Sequence, residues 1–463
     1  MAIDMASEQG APDLGVDEGL GRVAAAAFVG TAIEFYDFFL YGLAAALVFG
    51  REFFPVLGAA SALLAALSVY AVAFVARPVG AVLFGHFGDR LGRKAVLVAS
   101  LLLMGGSTAA VGLLPGYGHW GIWAPLCLVL LRFSQGLGLG GEWGGAALLV
   151  AEYAPRHRRG RYAGYLQLGP SAGSVLATTV FLALSAGLSE REFLAWGWRV
   201  PFLCSVALVG VGLFVRLRIA ETPVFEKARA EQPERTAEHA PASAVLRAHW
   251  RTVLLGAGAL SFGYALFYLS STYALGYTTG ELGVPRTTML ALQLLAAPAG
   301  ALAVWFSAGA SDRWGRRRTV LLGTGSAALW SLLLFPALET LRPELMLIAL
   351  VGSALLLGVQ LGPIAAYLPE LFPTRVRYTG AALTYNLGGV VGGATAPLLA
   401  TRLTAAYGTA TPVGWYLCGL GVVAVLCLLA LPETRGVDLT VERYSEGAGR
   451  AQRAAAVSGG AAG

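Results

Sequence analysis

Five ionisable side chains lie inside long apolar stretches of this sequence, where charge is rare and therefore informative. They are Glu34, Asp37, Arg77, Arg132 and Glu142. A charged group at this depth must face protein or a water-filled interior, because exposing it to lipid is costly. A carboxyl group removed from bulk water is suited to exchanging a proton near neutral pH, and an arginine presents a planar fork that matches a carboxylate. These residues therefore predict proton exchange and anion binding.

Two of the carboxylates, Glu34 and Asp37, share one face of a helix, since residues three apart are helical neighbours. Counting about 1.5 Å per residue along straight helices places Glu142 at the depth of this pair and Arg132 about two turns away. We predict that Asp37 and Glu34 are the proton-coupling residues and that Arg132 and Glu142 contact a bound solute, which would be the substrate. The alternative is a static network of buried ion pairs that orients the helices.

Uncharged polar side chains within the apolar stretches are candidates for hydrogen bonding to a solute. We predict Gln135, Asn386 and Tyr36 as further substrate-binding residues. Isolated amides in helical bundles also link helices to each other, and that alternative stays open. Arg77 directly precedes Pro78, and its context does not decide between a carboxylate partner and a side chain that reaches toward the membrane surface.

The elements that position these residues are apolar stretches long enough to cross a membrane. The 463 residues are 56% hydrophobic and only 13% charged, which is about half the charge of a soluble protein. Stretches of about 20 or more mainly apolar residues recur twelve times. Helices satisfy their own backbone in hydrocarbon. We therefore predict an all-α membrane protein with twelve transmembrane helices in two parallel six-helix repeats.

A charged segment in the middle of the chain separates two halves that repeat each other. GDRLGRK at 88–94 returns as SDRWGRR at 311–317. Such a repeat predicts a substrate site between two halves that rock against each other. The predicted organisation is a cytoplasmic tail over 1–22, a six-helix bundle over 23–218, a cytoplasmic linker over 219–250, a second six-helix bundle over 251–433 and a disordered cytoplasmic tail over 434–463.

The basic residues are distributed unequally between the two sides of the predicted membrane. With the N-terminus inside, 25 of the 33 Lys and Arg residues fall in cytoplasmic segments and six in external loops. Positive residues concentrate on the cytoplasmic side of membrane proteins. We therefore predict a multi-pass protein of the plasma or inner membrane with both termini in the cytoplasm. The net charge of +6 then needs no nucleic-acid partner.

The signatures of enzymes and metalloproteins are not recognisable in the sequence. The five histidines lie in loops or at the ends of apolar stretches, and the four cysteines form no CxxC pair. A metal site from these residues is therefore not expected. No nucleotide-binding loop and no pairing of a nucleophile with a base is apparent. We predict that the protein is not an enzyme and has no catalytic residue, metal site or cofactor.

Five motifs carry a resemblance to a known family. GHFGDRLGRK at 85–94 resembles the signature loop of the major facilitator superfamily. GTAIEFYDFFLYG at 30–42, RFSQGLGLGGEWGGA at 132–146, WGWRVPF at 196–202 and PELFPTRVRYTG at 369–380 resemble the metabolite:proton symporters of that superfamily. The resemblance implies alternating access in the lipid bilayer, with import of a small organic acid or zwitterion together with protons.

The resemblance also implies a gating role for the repeated loop. In the superfamily this loop clasps neighbouring helix ends and holds the inner side closed. For the basic residues, charge that only sets membrane topology is the alternative. The gating residues so implied are Gly88, Asp89, Arg90, Gly92, Arg93, Asp312, Arg313 and Arg316.

A proton-coupled exporter of drugs or of a biosynthetic product is the alternative function. GPSAG at 169–173 loosely resembles an antiporter motif, although Ser174 stands where that motif ends in glycine. The surrounding symporter motifs favour import. Uptake driven by an imposed proton gradient separates the two functions.

Overall fold

Helices account for nearly all of the described chain in a computed structural model of the protein. The description covers residues 14–91, 93–140, 142–218, 242–373 and 376–439. Within these ranges it leaves out the side chains of 14–24, 26, 59–60, 85–91, 93–97, 149, 152–153, 215–218, 242–244 and 246. Most of the predicted tails and linker, at 1–13, 219–241 and 440–463, therefore lies outside the described residues.

The described part of the first half contains ten α-helices. They are α1 Leu14–Ala44, α2 Gly50–Phe53, α3 Ala59–Leu91, α4 Arg93–Leu113, α5 Tyr117–Trp120, α6 Trp123–Gly140, α7 Glu142–Tyr153, α8 Arg159–Gly187, α9 Glu190–Glu192 and α10 Arg199–Arg218. A π-helical segment at Ala45–Phe49 joins α1 to α2, and another at Phe193–Gly197 follows α9. These π-helical segments let a single membrane crossing change direction without leaving its backbone groups unpaired.

The described part of the second half contains nine α-helices. They are α11 Ala242–Tyr268, α12 Ala274–Gly280, α13 Arg286–Trp314, α14 Arg316–Glu339, α15 Pro343–Leu361, α16 Ile364–Glu370, α17 Arg377–Gly388, α18 Thr395–Tyr407 and α19 Thr411–Ala430. π-Helical segments at Leu269–Tyr273 and Gly389–Ala394 join α11 to α12 and α17 to α18. The backbone of α11 leaves the helical conformation at His249, near the predicted start of the second bundle at residue 251.

The predicted membrane crossings all correspond to helical rods. Among the described residues, nine helical stretches are long and apolar enough to cross a membrane, and the bent pair Glu190–Gly197 and Arg199–Phe214 makes a tenth. The other two predicted crossings are the shorter helix Val98–Leu113 and the rod formed by α17 and α18. The all-α membrane architecture is therefore confirmed.

The helices of the two halves pack in the same order. In the first half α1 lies against α8 and α3 against α6, just as α11 lies against α17 and α13 against α15 in the second half. In the same way α4 contacts α6 and α10, and α14 contacts α15 and α19. The packing thus preserves the repeat that the sequence motifs indicate.

Two of the contacts that hold the halves together involve corresponding helices. Helix α8 packs along α13, and α3 packs against α18 and the π-helical segment Gly389–Ala394. Under the repeat these two contacts are equivalent, because α3 corresponds to α13 and α8 to the rod of α17 and α18. The space between the two contacts is where a site shared by both halves must lie.

Candidate functional site

Two buried arginines meet around the ring of Phe38, close to the interface between the halves. The guanidinium carbon of Arg77 lies 4.5 Å from the centroid of this ring, and that of Arg132 lies 4.6 Å from it. The Nε and Nη2 atoms of both arginines are buried and have no hydrogen-bond partner among the described residues. Two positive charges with free donors are therefore held inside the bundle.

Aromatic rings of the first half line the two guanidinium groups. The guanidinium carbon of Arg132 lies 4.1 Å from the ring centroid of Tyr41 and 4.7 Å from that of Tyr70. The guanidinium carbon of Arg77 lies 4.9 Å from the ring centroid of Phe74. Aromatic faces stabilise a cation without neutralising it, so both arginines keep their charge for a further partner.

The second half closes this cluster with two tyrosine rings. The ring centroid of Tyr268 lies 5.5 Å from that of Phe38 and 5.2 Å from that of Phe74. The ring centroid of Tyr264 lies 6.3 Å from that of Phe74. The cluster is therefore built from both halves, at the place where the sequence repeat predicts a shared site.

A chain of three hydrogen bonds connects Asp37 to Arg132. The Thr108 hydroxyl donates to Asp37 Oδ2 at 3.0 Å, and Gln135 Nε2 donates to Thr108 Oγ1 at 2.6 Å. Arg132 Nη1 donates to Gln135 Oε1 at 3.0 Å. All four side chains are buried. The structure thus brings together three residues predicted from the sequence, Asp37, Arg132 and Gln135.

Close packing of α6 on α3 positions the two arginines. A Cβ atom added at Gly136 would collide with the backbone of Ala73, and one added at Gly140 would collide with the backbone of Arg77. Glycine permits this approach because it carries no side chain. Arg132 lies one turn before Gly136, so the same contact sets its position relative to α3.

Two other predicted substrate-binding residues make contacts outside the arginine cluster. The Tyr36 hydroxyl donates to the carbonyl of Pro201 at 3.0 Å. Asn386 Nδ2 donates to the carbonyl of Gly140 at 3.2 Å and so links the two halves. In this conformation the Tyr36 hydroxyl and Asn386 Nδ2 both bond to backbone carbonyls.

The two glutamates of the predicted layer are both buried. Glu34 lies within electrostatic range of Arg77, and Glu142 begins α7. The helix-depth count places Arg132 about two turns from Asp37, and the side chains of Thr108 and Gln135 span that distance.

Sequence reasoning does not single out Thr108, Phe38 or Tyr268, and it leaves the role of Arg77 open. A threonine in a membrane helix commonly bonds back to its own helix, and the Thr108 hydroxyl is also 3.0 Å from the carbonyl of Met104. Nothing in the sequence separates it from other such threonines. Of these four residues, only Arg77 is recognisable from the sequence as a candidate, because a charged residue inside an apolar stretch is rare.

A second cluster joins the halves at one end of the bundle. Glu370 accepts hydrogen bonds from Arg159 Nη1 at 2.9 Å and from Arg316 Nε at 3.4 Å. All three side chains are buried, and Arg159 belongs to the first half. We call this end the arginine-rich end and define it by Arg159, Asp312, Arg316 and Glu370.

Asp312 caps the start of α8 from the opposite half. It accepts the backbone N–H groups of Gly160 and Arg161, at 2.9 Å each, and Arg316 Nη1 at 2.7 Å. The first turn of a helix leaves such N–H groups without intrahelical partners, and its positive dipole favours a carboxylate there. The contact therefore depends on the two halves being closed at this end.

The two copies of the predicted gating loop differ in how much the structure describes. In the second copy Asp312 and Arg316 join the halves as above, and Arg313 is exposed. In the first copy Gly92 lies outside the described residues. The same holds for the side chains at the remaining positions, which are Gly88, Asp89, Arg90 and Arg93.

Contacts between the halves continue beyond the arginine cluster. The ring centroids of Phe39 and Phe267, which are the sequence neighbours of Phe38 and Tyr268, are 4.9 Å apart. Closer to the opposite end, the guanidinium carbon of Arg286 lies 4.2 Å from the ring centroid of Phe193. The halves therefore touch on both sides of the cluster.

Two repeated halves of membrane-spanning helices, with buried charges near their interface, are typical of secondary transporters. A family model described as "Sugar (and other) transporter" matches residues 23–444. The chain belongs to this family of the major facilitator superfamily, as its motifs predict. The members it resembles are membrane transporters and not enzymes, and this chain is a multi-pass transporter of metabolites.

Bacterial transporters are similar to this chain over most of their length. The inner membrane metabolite transport protein YhjE of Escherichia coli (strain K12) is 44% identical over 424 residues, which cover 90% of this chain and 95% of that protein. The shikimate transporter of the same strain is 37% identical over 386 residues, or 82% and 87% of the two chains. Its proline/betaine transporter is 33% identical over 427 residues, or 90% and 85%.

A solved structure shares the fold. The proton:xylose symporter XylE, bound to 6-bromo-6-deoxy-D-glucose, superposes with a TM-score of 0.71 at 18% identity. The match covers 91% of this chain and 98% of that one. At this identity the likeness supports the major facilitator fold and no more.

Proposed function

We propose that this transporter imports a small carboxylic acid together with protons by alternating access. The observation that carries the proposal is the pair of free Nε and Nη2 atoms on Arg77 and Arg132. These two nitrogens of a guanidinium point in nearly the same direction and match the two oxygens of a carboxylate. Because Arg132 uses Nη1 for Gln135, its other edge stays available to substrate.

The proton site of the proposal is Asp37. Its Oδ2 accepts from Thr108, and its Oδ1 is buried without a hydrogen-bond partner among the described residues. An ionised Asp37 competes with a substrate carboxylate for the positive charge of Arg132. Protonation removes that competition, so proton and substrate each favour the binding of the other. Glu34, near Arg77, is a second candidate for the same role.

The substrate class follows from the balance of charge around the site. Two arginines with free donor edges favour an acid with one or two carboxylates. A zwitterion with a quaternary ammonium group is the alternative, since aromatic faces such as those of Phe74 and Tyr268 bind such cations. Names of relatives fit both classes, one being a shikimate transporter and another a proline/betaine transporter.

Uptake into proteoliposomes under an imposed inward proton gradient tests the proposal. The labelled panel contains shikimate, succinate and glycine betaine. We expect gradient-driven accumulation of at least one carboxylic acid and its loss when a protonophore collapses the gradient. Accumulation of the betaine alone contradicts the substrate class, and carboxylate uptake indifferent to the gradient contradicts proton coupling.

Export is tested in vesicles preloaded with labelled substrate under the same inward proton gradient, because an exporter moves substrate against the proton and a symporter moves it with the proton. The glycines of the antiporter-like motif have a structural role in this protein. A Cβ atom at Gly169 would press on Thr31, and one at Gly173 would press on the backbone of Tyr36, so both allow α8 to pack on α1. Proton-driven extrusion that exceeds uptake would support the exporter.

The arginine-rich end is proposed to face the cytoplasm, with both termini on that side of the inner membrane. The unequal distribution of basic residues supports this orientation. Fusions of a reporter that is active only in the cytoplasm, placed after residue 439 and at an external loop near Arg342, test it. Activity of the loop fusion alone would reverse the orientation.

A further inference from the structure

Thr108 has more hydrogen-bond partners in reach than its single hydroxyl proton can serve at once. Its Oγ1 lies 3.0 Å from Asp37 Oδ2, 3.0 Å from the carbonyl oxygen of Met104 and 2.6 Å from Gln135 Nε2. A hydroxyl donates one hydrogen bond and accepts two. Gln135 must be the donor in its contact, so Asp37 and Met104 are two alternative acceptors for the proton of Thr108.

Which acceptor the Thr108 hydroxyl uses depends on whether Asp37 is ionised or protonated. When Asp37 is ionised, it can only accept, and the Thr108 hydroxyl turns toward Oδ2. When Asp37 carries a proton, it can donate to Oγ1, and the Thr108 hydroxyl turns toward the Met104 carbonyl. In both states Oγ1 still accepts from Gln135, and no heavy atom has to move.

We propose that Thr108 is a positioning residue whose hydroxyl turns between Asp37 and Met104, so that Asp37 gains and loses its proton while Gln135 keeps Arg132 oriented toward substrate. The inference rests on the proposed function and adds a residue to it. No proton passes through Thr108, because the proton binds to and leaves Asp37 itself. The hydroxyl proton of Thr108 stays on Oγ1 throughout.

Gln135 transmits this arrangement to the substrate site. Because its Nε2 donates to Thr108, its Oε1 faces Arg132 and accepts from Nη1. A reversed amide would place two donors against each other at Arg132. Arg132, which can only donate, therefore fixes which way the Gln135 amide points, and Thr108 supplies the acceptor for Gln135 Nε2 in both states of Asp37.

The ionisable groups around Asp37 come from several helices. Arg132 of α6 and Tyr36 of α1 are in electrostatic contact with Asp37, and Glu34 lies one turn away on α1. Helix α8 presents only uncharged residues between 167 and 181. Among the described residues Thr108 is the hydrogen-bond donor to Asp37. Of the other helices packed against α1, α3 carries Arg77, α7 carries Glu142, and α10 carries Cys204, which is in electrostatic contact with Tyr36.

The test compares three variants of the full-length protein in proteoliposomes. Thr108→Val keeps the shape of the side chain and removes the hydroxyl, and Thr108→Ser restores the hydroxyl. Thr324→Val is the matched control, because Thr324 is equally buried, lies in the repeat-related helix α14 and donates to the carbonyl of Val320 in its own helix. The labelled probe is shikimate, or succinate where the wild type accumulates it more strongly.

Net uptake requires Asp37 to release its proton, whereas exchange of internal for external substrate does not. Without Thr108 the ionised Asp37 loses a buried donor, so we expect Thr108→Val to slow gradient-driven net uptake about tenfold or more. At saturating substrate the rate of exchange should stay within about twofold of wild type, whereas the KM should rise because Gln135 Nε2 loses its acceptor. Thr108→Ser should regain net uptake, and Thr324→Val should behave as wild type.

The outcomes separate failure of the positioning role of Thr108 from failure of the proposed function. Wild-type uptake that ignores the proton gradient overturns the proposed function, and the role of Thr108 with it. Proton-driven uptake by the wild type that Thr108→Val retains in full overturns the role of Thr108 alone. Equal loss of uptake and exchange in Thr108→Val, without rescue by serine, assigns Thr108 to folding and also overturns its positioning role.

Discussion

The rings of Trp143 and Tyr385 stack face to face across the two halves, with centroids 3.7 Å apart and planes 4° from parallel. Trp143 Nε1 donates to Gln167 Oε1 at 3.4 Å. Tyr385 also contacts Tyr264, whose ring centroid is 5.4 Å away and which borders the arginine cluster. The stack therefore lies between the arginine cluster and the arginine-rich end. Because its two rings belong to different halves, they must separate when that end opens.

Removing the stack should favour a conformation that is open at the arginine-rich end. An aromatic pair contributes about 0.5 to 1.5 kcal/mol beyond the area it buries, so Trp143→Ala should raise the open population by about two- to tenfold. Spin labels at residues 158 and 318, two exposed positions on opposite halves, report the separation by pulsed electron paramagnetic resonance. The four native cysteines are first replaced by alanine.

Trp143→Phe is the matched variant, since it keeps an aromatic face and loses the indole N–H. We expect a distance distribution between those of wild type and Trp143→Ala. A distribution for Trp143→Ala that matches wild type would show that the stack does not contribute to closure.

Gly160 offers a way to disturb the arginine-rich end without removing a charge. A Cβ atom at this position would lie 2.6 Å from both the carbonyl oxygen of Ala308 and Ser311 Oγ, which are on the opposite half. Crowding of this kind costs about 1 to 3 kcal/mol. The added Cβ would also crowd Arg316 Nη1. Gly160→Ala should therefore shift the same label distances toward the open conformation and slow exchange, although no charged group is removed.

Gly309→Ala is the control for this substitution. It also places alanine in a helix that joins the halves, but no atom lies within 4 Å of the added Cβ. Because alanine is the better helix former by about 1 kcal/mol, unchanged distances and a slightly higher melting temperature are expected. Equal effects of the two substitutions would contradict a specific contact at Gly160.

The membrane crossings were predictable because apolar length is a one-dimensional property of the sequence. The repeat was predictable for a similar reason, since its motifs recur in order. The π-helical segments that interrupt the crossings were not predictable from the sequence. The π-helical segments Ala45–Phe49 and Leu269–Tyr273 occupy corresponding positions in the two halves, yet AALVF and LSSTY share no signal, because packing against neighbouring helices determines where a helix widens.

The candidate site was predictable only in part. Asp37, Arg77 and Arg132 are recognisable as candidates because each is a charged residue within an apolar stretch. Which of these charges lie close together depends on how α1, α3 and α6 pack against each other. Counting residues along a single helix gives only the depth of each charge. Thr108 illustrates the limit, because its two acceptors come from different helices and only one of them is its neighbour in sequence.

The free edges of Arg77 and Arg132 predict how lysine would behave at these positions. Arg77→Lys and Arg132→Lys keep the positive charge and remove the bidentate fork. A hydrogen bond to a charged group contributes about 1.5 to 3 kcal/mol, so KM for the carboxylate should rise about tenfold or more in each variant. Initial rates of uptake over a range of substrate concentrations measure this. Wild-type KM in both variants would show that neither arginine binds substrate.

Asp37→Asn should separate substrate movement from proton movement. Asparagine keeps the size of the side chain and its acceptor for Thr108, but it cannot be ionised, so it mimics a carrier that never releases its proton. We expect gradient-driven accumulation to be lost while exchange persists, and Arg132 should then bind a carboxylate without competition from a negative Asp37. The KM for exchange should accordingly become nearly independent of pH between about 5 and 8.

The matched variant Glu34→Gln identifies which of the two carboxylates carries the proton. Only substitution of the proton-coupling residue should make the KM for exchange independent of pH. Full accumulation by Asp37→Asn, with coupling lost in Glu34→Gln instead, would move the proton site from Asp37 to Glu34.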